Sequence, residues 1–165
     1  MANLDALRKS KLFMGLSESE LKKIEECFHE DTVEIGNIII EENDVPIDKL
    51  FIVKEGTISV STSASYESEE KMLTTLGPGD AFGEISLVDR NPHSATVRAL
   101  SDTVILSMQI ELFNRIFDSD RNIGFIIMRN LCLLICDRLR VANFTIKHFG
   151  YFGKDENTSI DNKKE

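Results

Sequence analysis

GPGDAFGEISLVDRNPHSATV, from Gly77 to Val97, is the stretch that decides how this chain folds. It begins as a Gly-rich turn, continues through a brief apolar helical turn near Glu84 and a loop marked by Pro92, and ends in a strand. Gly83 has no side chain, so another group can approach the backbone closely there. A helical turn that starts near Glu84 presents N–H groups that favour an anion, and its carboxylate is a good acceptor for sugar hydroxyls. The residues therefore indicate a ligand with an anionic group and hydroxyls, and an ordinary turn is the alternative interpretation.

Short β-rich runs alternate with turn signals on both sides of this stretch, between Val33 and Met108. Such punctuation predicts a mainly β fold, an antiparallel jelly-roll barrel. The polar residues 64–70 are predicted to form a hairpin tip. The predicted strands cover residues 32–35, 37–42, 49–54, 57–63, 71–76, 94–100 and 103–108.

Helical patterns flank the β region. Ser17 and Glu20 have the spacing of a capping box, which predicts a helix over 18–28. A short helix is expected over 110–117, and residues 118–120 supply the N-cap of a long amphipathic helix over 121–149. The apolar face of that helix is broad enough to cover the barrel and to meet a second copy of the chain, although a purely intramolecular helix has the same pattern. We expect one domain over 1–149 and a flexible polar tail over 150–165.

Composition limits the classes of function. The net charge is −9 and the basic residues are dispersed, which argues against direct contact with nucleic acid. No apolar run reaches the roughly 18 residues of a membrane span, and the N-terminus lacks a secretory signal, so the predicted location is the cytoplasm. The cysteines Cys27, Cys132 and Cys136 are expected to be thiols in a reducing compartment.

The sequence also argues against an enzyme. His29, His93 and His148 are the three histidines, and they form no HxH pair of the kind that holds a metal in jelly-roll enzymes. No Ser–His–Asp or Cys–His motif stands out. We therefore expect neither a catalytic residue nor a bound metal.

The Gly77–Val97 stretch resembles the phosphate-binding cassette of the cyclic nucleotide-binding domain family, which includes protein kinase A regulatory subunits, cyclic-nucleotide-gated channels and bacterial catabolite activator proteins. The family pattern is FGE, two small or apolar residues, Leu, a variable loop that often contains Pro, and Arg-x-Ala before a strand. Residues 82–87, 91–92 and 93–97 follow it, apart from the Arg. Residues 12–24 and 49–60 resemble the family's helical entry and its strand-Gly-strand signature, so the likeness covers about residues 10–140.

The resemblance implies an eight-stranded jelly roll flanked by N-terminal helices and a long C-terminal helix, which usually caps the base of the ligand. It implies that Gly83 and Glu84 contact the ribose, the carboxylate taking the 2′-hydroxyl, and that cassette N–H groups hold the cyclic phosphate. We expect no DNA-binding domain, because the 16 residues after Phe149 show no helix-turn-helix pattern. The ligand-binding residues implied by the resemblance are Phe82, Gly83, Glu84, Ile85, Ser86, His93, Ser94 and Ala95.

His93 departs from the family pattern, which has Arg at that position. An Arg gives a permanent charge and a bidentate fork to the phosphate, whereas an ordinary His is mostly neutral at pH 7. Losing such a hydrogen bond weakens binding about ten- to a hundred-fold. Three outcomes follow: His93 takes up a proton on binding; Arg90, three residues earlier, is the substitute phosphate ligand; or the pocket binds another ligand or none, with Glu84 capping a turn and His93 on a surface loop.

The predicted function is therefore a regulatory, ligand-sensing module that binds a cyclic nucleotide, cAMP or cGMP, or a related phosphate-bearing ligand in the cassette 81–97. The alternative is a degenerate fold that acts without ligand as a protein-interaction or dimerisation module. Expected partners are the nucleotide, an unidentified protein, and a second copy of the chain through helix 121–149, with no direct contact to nucleic acid or membrane.

Overall fold

The chain divides into two compact units, Met1–Asn130 and Leu131–Glu165. A computed structural model describes residues 3–45, 47–63, 70–85, 88 and 91–152. The first unit opens with helix α1 (Asn3–Lys9), a 3₁₀ turn (Lys11–Phe13) and helix α2 (Glu18–Glu25). The predicted tip 64–70 lies outside the described residues, except for residue 70.

The predicted capping box starts α2. Glu20 N donates to Ser17 Oγ at 3.4 Å, and Ser17 N donates to Glu20 Oε2 at 2.7 Å, so each residue satisfies a backbone group of the other. The helix ends at Glu25, three residues before the predicted end at 28. Cys27 N and Phe28 N donate to carbonyls three residues earlier, which tightens the chain and turns it into the first strand.

Eight strands in the described residues form two antiparallel four-stranded sheets, which confirms the predicted jelly roll. Their orders are β1-β8-β3-β6 and β2-β7-β4-β5. Two facing sheets stand where the prediction named a barrel. The strands are β1 (His29–Val33), β2 (Ile38–Ile40), β3 (Lys49–Glu55), β4 (Ile58–Ser63), β5 (Glu70–Leu76), β6 (Ala81–Phe82), β7 (Thr96–Ala99) and β8 (Thr103–Gln109).

Two strands differ most from the predicted runs, and the others begin and end within two residues of them. β1 begins at His29 and ends at Val33, where residues 32–35 were expected, because it pairs residue by residue with β8 from His29↔Ser107 to Val33↔Thr103. β6 has no predicted counterpart, since a pair of residues is too short to show alternation. It is a strand because Phe51 and Ile52 of β3 pair with it.

The hydrophobic core lies between the two sheets. Phe51 of β3 and Phe82 of β6 stack with ring centroids 4.9 Å apart, which fixes the start of the cassette to the centre of the fold. Ile47 and Val60 pack at the edge of this cluster. The buried members are Ile40, Phe51, Val53, Ile58, Phe82, Val97 and Ile105.

The Glu55–Gly56 turn has no room for a side chain. Gly56 has a φ of +89°, and a Cβ there would lie 2.5 Å from Thr103 Oγ1 and 2.6 Å from Asp102 O. Real Cβ contacts do not occur at that distance, so the family-like Gly56 is required for both its backbone angle and its close approach.

Two helices follow the roll: α3 (Ile110–Ser119) and α4 (Arg121–Phe152). The predicted cap of the long helix is Asp120, whose Oδ1 accepts from Asn122 N at 3.1 Å and from Ile123 N at 3.3 Å. α4 continues three residues into the segment predicted as a tail, and residues 153–165 lie outside the described residues. The division into units falls within α4, so the predicted 1–149 domain stays a prediction.

Asn130 fastens the first part of α4 to the N-terminal turn. It is buried, and its Nδ2 donates to Leu12 O at 3.0 Å and to Met14 O at 2.8 Å. These carbonyls belong to the end of the 3₁₀ turn and the residue after it, where backbone acceptors lack intrahelical partners. One side chain therefore satisfies two orphaned acceptors.

Candidate functional site

A tight turn delivers the chain into the cassette. Asp80 Oδ2 accepts from Gly77 N at 2.9 Å, and Asp80 N donates back to Gly77 O at 3.0 Å. Gly79 N and Asp80 O bond to the backbone of Val53 on β3. Because the turn is closed on itself and tied to β3, β6 enters the core in a fixed register.

Gly83 leaves β6 in the left-handed region, with a φ of +71°. A Cβ there would lie 2.9 Å from Lys49 O and 3.1 Å from the Phe51 ring. The close approach predicted for Gly83 is therefore present, and the neighbour that uses it is β3. Any larger residue would push the cassette away from that strand.

Glu84 is a buried carboxylate, with 1% of its surface exposed. Ile85, the next residue, is partly exposed, and its carbonyl accepts from Val88 N at 2.9 Å, as in the predicted helical turn. A buried carboxylate is costly unless polar groups surround it, which makes its position inside the fold informative. Ser86 and Arg90 lie outside the described residues.

His93 is buried, with 7% of its surface exposed, so the surface-loop interpretation of this residue is wrong. Its Nε2 accepts a hydrogen bond from Ile47 N at 2.9 Å. Burial lowers the pKa of His93 below its usual value, and the negative charge of Asp44 acts in the opposite direction. The His93 ring, at the position of the family's Arg, thus faces a backbone N–H group. A protonated ring could not accept a hydrogen bond from that group.

Ser94 and Ala95 complete the predicted set. Ser94 is exposed and Ala95 is half-buried, directly before β7. Thr96, the first residue of β7, is buried, and its Oγ1 accepts from Glu42 N at 3.1 Å. The end of the cassette is therefore held by the β2–β3 connection, residues 41–48.

This connection is the part of the site that sequence reasoning missed. Asn43 N donates to His93 O at 2.8 Å, beside the Ile47–His93 bond. Asn43 has a φ of +63°, a conformation that Asn tolerates better than most residues. The Asn43–Asp44 turn signal was visible in the sequence, but nothing in it indicated that the turn would meet the cassette 50 residues later.

Glu42 ties the same connection to β4. Its carboxylate accepts from Thr62 Oγ1 at 2.6 Å, from Ser63 N at 2.7 Å and from Ser63 Oγ at 2.9 Å. The hydrogen bond from Thr62 is the main reason that the pKa of Glu42 is lowered. The connection is thus anchored to β4 at one end and to the cassette at the other.

Among the described residues, no group of three or more His, Cys, Asp or Glu side chains could hold a metal ion. No described helix is long and apolar enough to cross a membrane. The described cysteines are all free thiols.

A family model for the cyclic nucleotide-binding domain matches residues 30–120. The chain belongs to this family. The match includes both sheets, the cassette and α3, which are the parts that build the site.

Individual relatives support the same family assignment. The chain is 34% identical over 113 residues to a cyclic nucleotide-gated potassium channel of Mesorhizobium japonicum, covering 68% of this chain and 29% of the channel. A Toxoplasma gondii protein kinase A regulatory domain, crystallised with cAMP, is similar with a TM-score of 0.62 and 33% identity over 68% of this chain and 42% of that one. The Thermus thermophilus catabolite activator protein is similar with a TM-score of 0.75 and 28% identity, over 86% of this chain and 64% of that one. The chain thus spans less than two thirds of the length of each.

Proposed function

We propose that this chain is a regulatory module that binds a cyclic nucleotide, or a related phosphate-bearing ligand, in the cassette 81–97. The observation that carries the proposal is Glu84, a carboxylate with 1% exposure placed next to the positive-φ Gly83. A carboxylate at that depth suits the ribose of a cyclic nucleotide, because the free 2′-hydroxyl can donate to it. The T. gondii relative, crystallised with cAMP, supports the choice of ligand class.

The proposed role is regulatory, not catalytic, and its proposed location is the cytoplasm. The relatives include a cyclic nucleotide-gated potassium channel, a cAMP-activated global transcriptional regulator of Mycobacterium tuberculosis and a cGMP-dependent kinase of Drosophila melanogaster, of which this chain covers 15%. A domain that recurs in proteins of such different activity is best suited to sensing. Free thiols at Cys27, Cys132 and Cys136 support a reducing compartment.

Calorimetry with cAMP, cGMP and cyclic dinucleotides tests the proposal. We expect one of them to bind, and Glu84→Gln to weaken that ligand about ten- to a hundred-fold, since a hydrogen bond to a charged group contributes about 1.5–3 kcal/mol. Glu34→Gln is the matched control because Glu34 is exposed and lies outside the cassette. Absence of binding by every nucleotide would contradict the proposal, provided that circular dichroism shows a folded protein.

A second candidate function is homodimerisation through the long helix, predicted over 121–149. Five residues of its second unit recur at alternating spacings of three and four, the pattern of a coiled-coil seam: Cys132, Ile135, Leu139, Ala142 and Ile146. All five are exposed, with Leu139 at 58% and Ile146 at 68%. A second copy offers the same spacing, so the seam is self-complementary by symmetry.

Sedimentation equilibrium tests the dimer. We expect Leu139→Glu to shift the protein to monomer, because a charge would be placed at the centre of the seam. Leu133→Glu is the control: Leu133 is also exposed, but it lies on the opposite side of the helix. Equal effects of the two variants, or a wild-type monomer at high concentration, would refute the seam. A dimer that binds no nucleotide would favour the ligand-free interaction module.

A further inference from the structure

The chemistry of the His93–Ile47 bond depends on the charge of the ring. Nε2 accepts the Ile47 N–H at 2.9 Å, so it carries no hydrogen and the neutral ring holds its hydrogen on Nδ1. The parallel bond, from Asn43 N to the His93 carbonyl at 2.8 Å, is indifferent to protonation. A proton on His93 therefore breaks one of the two bonds and leaves the other.

We propose that His93 is a proton-sensitive link between the cassette and the β2–β3 connection. Neutral His93 holds Ile47, and protonated His93 releases it. The ligand half of the proposal rests on the proposed function. An anionic phosphate in the cassette favours the imidazolium, because His93 must take up a proton to supply the positive charge that an Arg carries permanently. Ligand binding then takes up a proton and frees Ile47.

The surroundings of the ring set the direction of the pH effect. Of the described residues, Asp44 is the charged group that acts on His93, and it favours the cation, but burial outweighs it and lowers the pKa. The unfolded chain has an ordinary His and binds the proton first as the pH falls. The stability from this link is therefore fully present above about pH 6.5 and is lost as the pH falls through the lower pKa of the folded protein.

Release of Ile47 would also affect the packing of its side chain. Ile47 packs against the core cluster that contains the stacked Phe51 and Phe82, while Val45, two residues earlier, is among the most exposed apolar side chains. The connection remains attached through Asn43 and Glu42. Ile47 is thus the residue that protonation releases, and it joins this connection to the core cluster beside the cassette.

The ligand-free half is tested by hydrogen exchange of the Ile47 amide at pH 7.5 and 5.0, corrected for intrinsic exchange. We expect protection to fall roughly ten-fold at pH 5.0 in the wild type. His93→Gln places an amide oxygen where Nε2 lies but does not titrate, so its Ile47 protection is expected to stay constant. Asn43 is the internal control in both proteins. Equal pH dependence in wild type and variant overturns the link, as does an Nε2–H tautomer in the nitrogen NMR spectrum.

The ligand half is tested by calorimetry with cAMP, cGMP and cyclic dinucleotides in two buffers of different ionisation enthalpy. At pH 7.5 we expect uptake of about one proton per bound nucleotide in the wild type and none in His93→Gln or His93→Arg. His93→Arg should bind about ten- to a hundred-fold more tightly and lose Ile47 protection without ligand. Binding without proton uptake overturns this half and leaves the proposed function intact. No binding by wild type and His93→Arg overturns the proposed function and this half together.

Discussion

Asn130→Ala removes the side chain that holds the first part of α4 against the N-terminal turn. The side chain is 5% exposed and donates to both Leu12 O and Met14 O. Alanine preserves the helix, because it has the highest helix propensity. The main perturbation is therefore the loss of two buried hydrogen bonds and a small cavity. The bond that Asn130 Oδ1 accepts from Arg129 Nη2, at 3.3 Å, is also lost.

The expected loss follows from those two bonds. A neutral hydrogen bond contributes about 1 kcal/mol net, and an acceptor left buried without a partner costs about 1–3 kcal/mol. Two acceptors lose their donor, so we expect the free energy of unfolding to fall by about 2–3 kcal/mol. For a protein of this size, that corresponds to a Tm lower by about 5–10 °C.

Urea denaturation followed by circular dichroism, with a parallel thermal scan, measures the change. Asn122→Ala is the control, because Asn122 lies on the same helix but is exposed, and its side chain donates to Glu20 Oε1 at 3.2 Å. The control is expected to change stability by less than about 0.5 kcal/mol. If the two variants lose equal stability, the contacts of Asn130 do not anchor the helix and the reasoning is refuted.

Three further predictions concern the stability of the roll. Gly56→Ala should lower the free energy of unfolding, measured in guanidinium, by at least about 2 kcal/mol, because φ is positive and a Cβ would clash with Thr103. The control, Gly36→Ala, has a similar φ but open space around it and should lower the free energy of unfolding by about 1 kcal/mol. Equal losses would contradict the clash. Ser10→Ala should be neutral or raise Tm, because the buried Ser10 Oγ has no hydrogen-bond partner among the residues that the structure describes. A clear loss of stability would show that it has one. Glu30→Gln should destabilise the protein by about 1–3 kcal/mol, because it leaves the buried Lys54 ammonium, 2.6 Å away, without its counter-charge. Lys54→Met should be nearly neutral, because it removes the buried charge itself. A larger loss of stability in Lys54→Met than in Glu30→Gln would refute this.

The sequence predicted the fold well because local patterns specified it. The Ser17–Glu20 capping box, the Asp120 cap and most strands were each visible within a few residues. β6 was not, because it is two residues long and becomes a strand through pairing with β3. The end of α2 was placed too late, since the apolar spacing continues to Phe28 while the backbone already turns.

The candidate site was predictable as a segment but not as an arrangement. The cassette residues Gly83 and Glu84 were identified from their motif. Gly83 lies against β3 and Glu84 is buried, and their roles in ligand binding stay predictions. The orientation of His93 was not predictable, because its partner Ile47 lies 46 residues away and donates a backbone group that every sequence has. Helix caps show in the sequence because their partners lie within a few residues, but a side chain that contacts backbone far along the chain leaves no such signal. The β2–β3 connection was therefore recognised as a turn and no more.

The pairing of β1 with β8 sets a condition on synthesis in the cell. β1 ends at Val33, and the strand that completes its backbone hydrogen bonds begins at Thr103. At translation rates of about 5–20 residues per second, β1 waits several seconds on the ribosome before its partner exists. The four polar residues from His29 to Thr32 leave this waiting edge hydrophilic, which lowers its tendency to pair with another nascent chain.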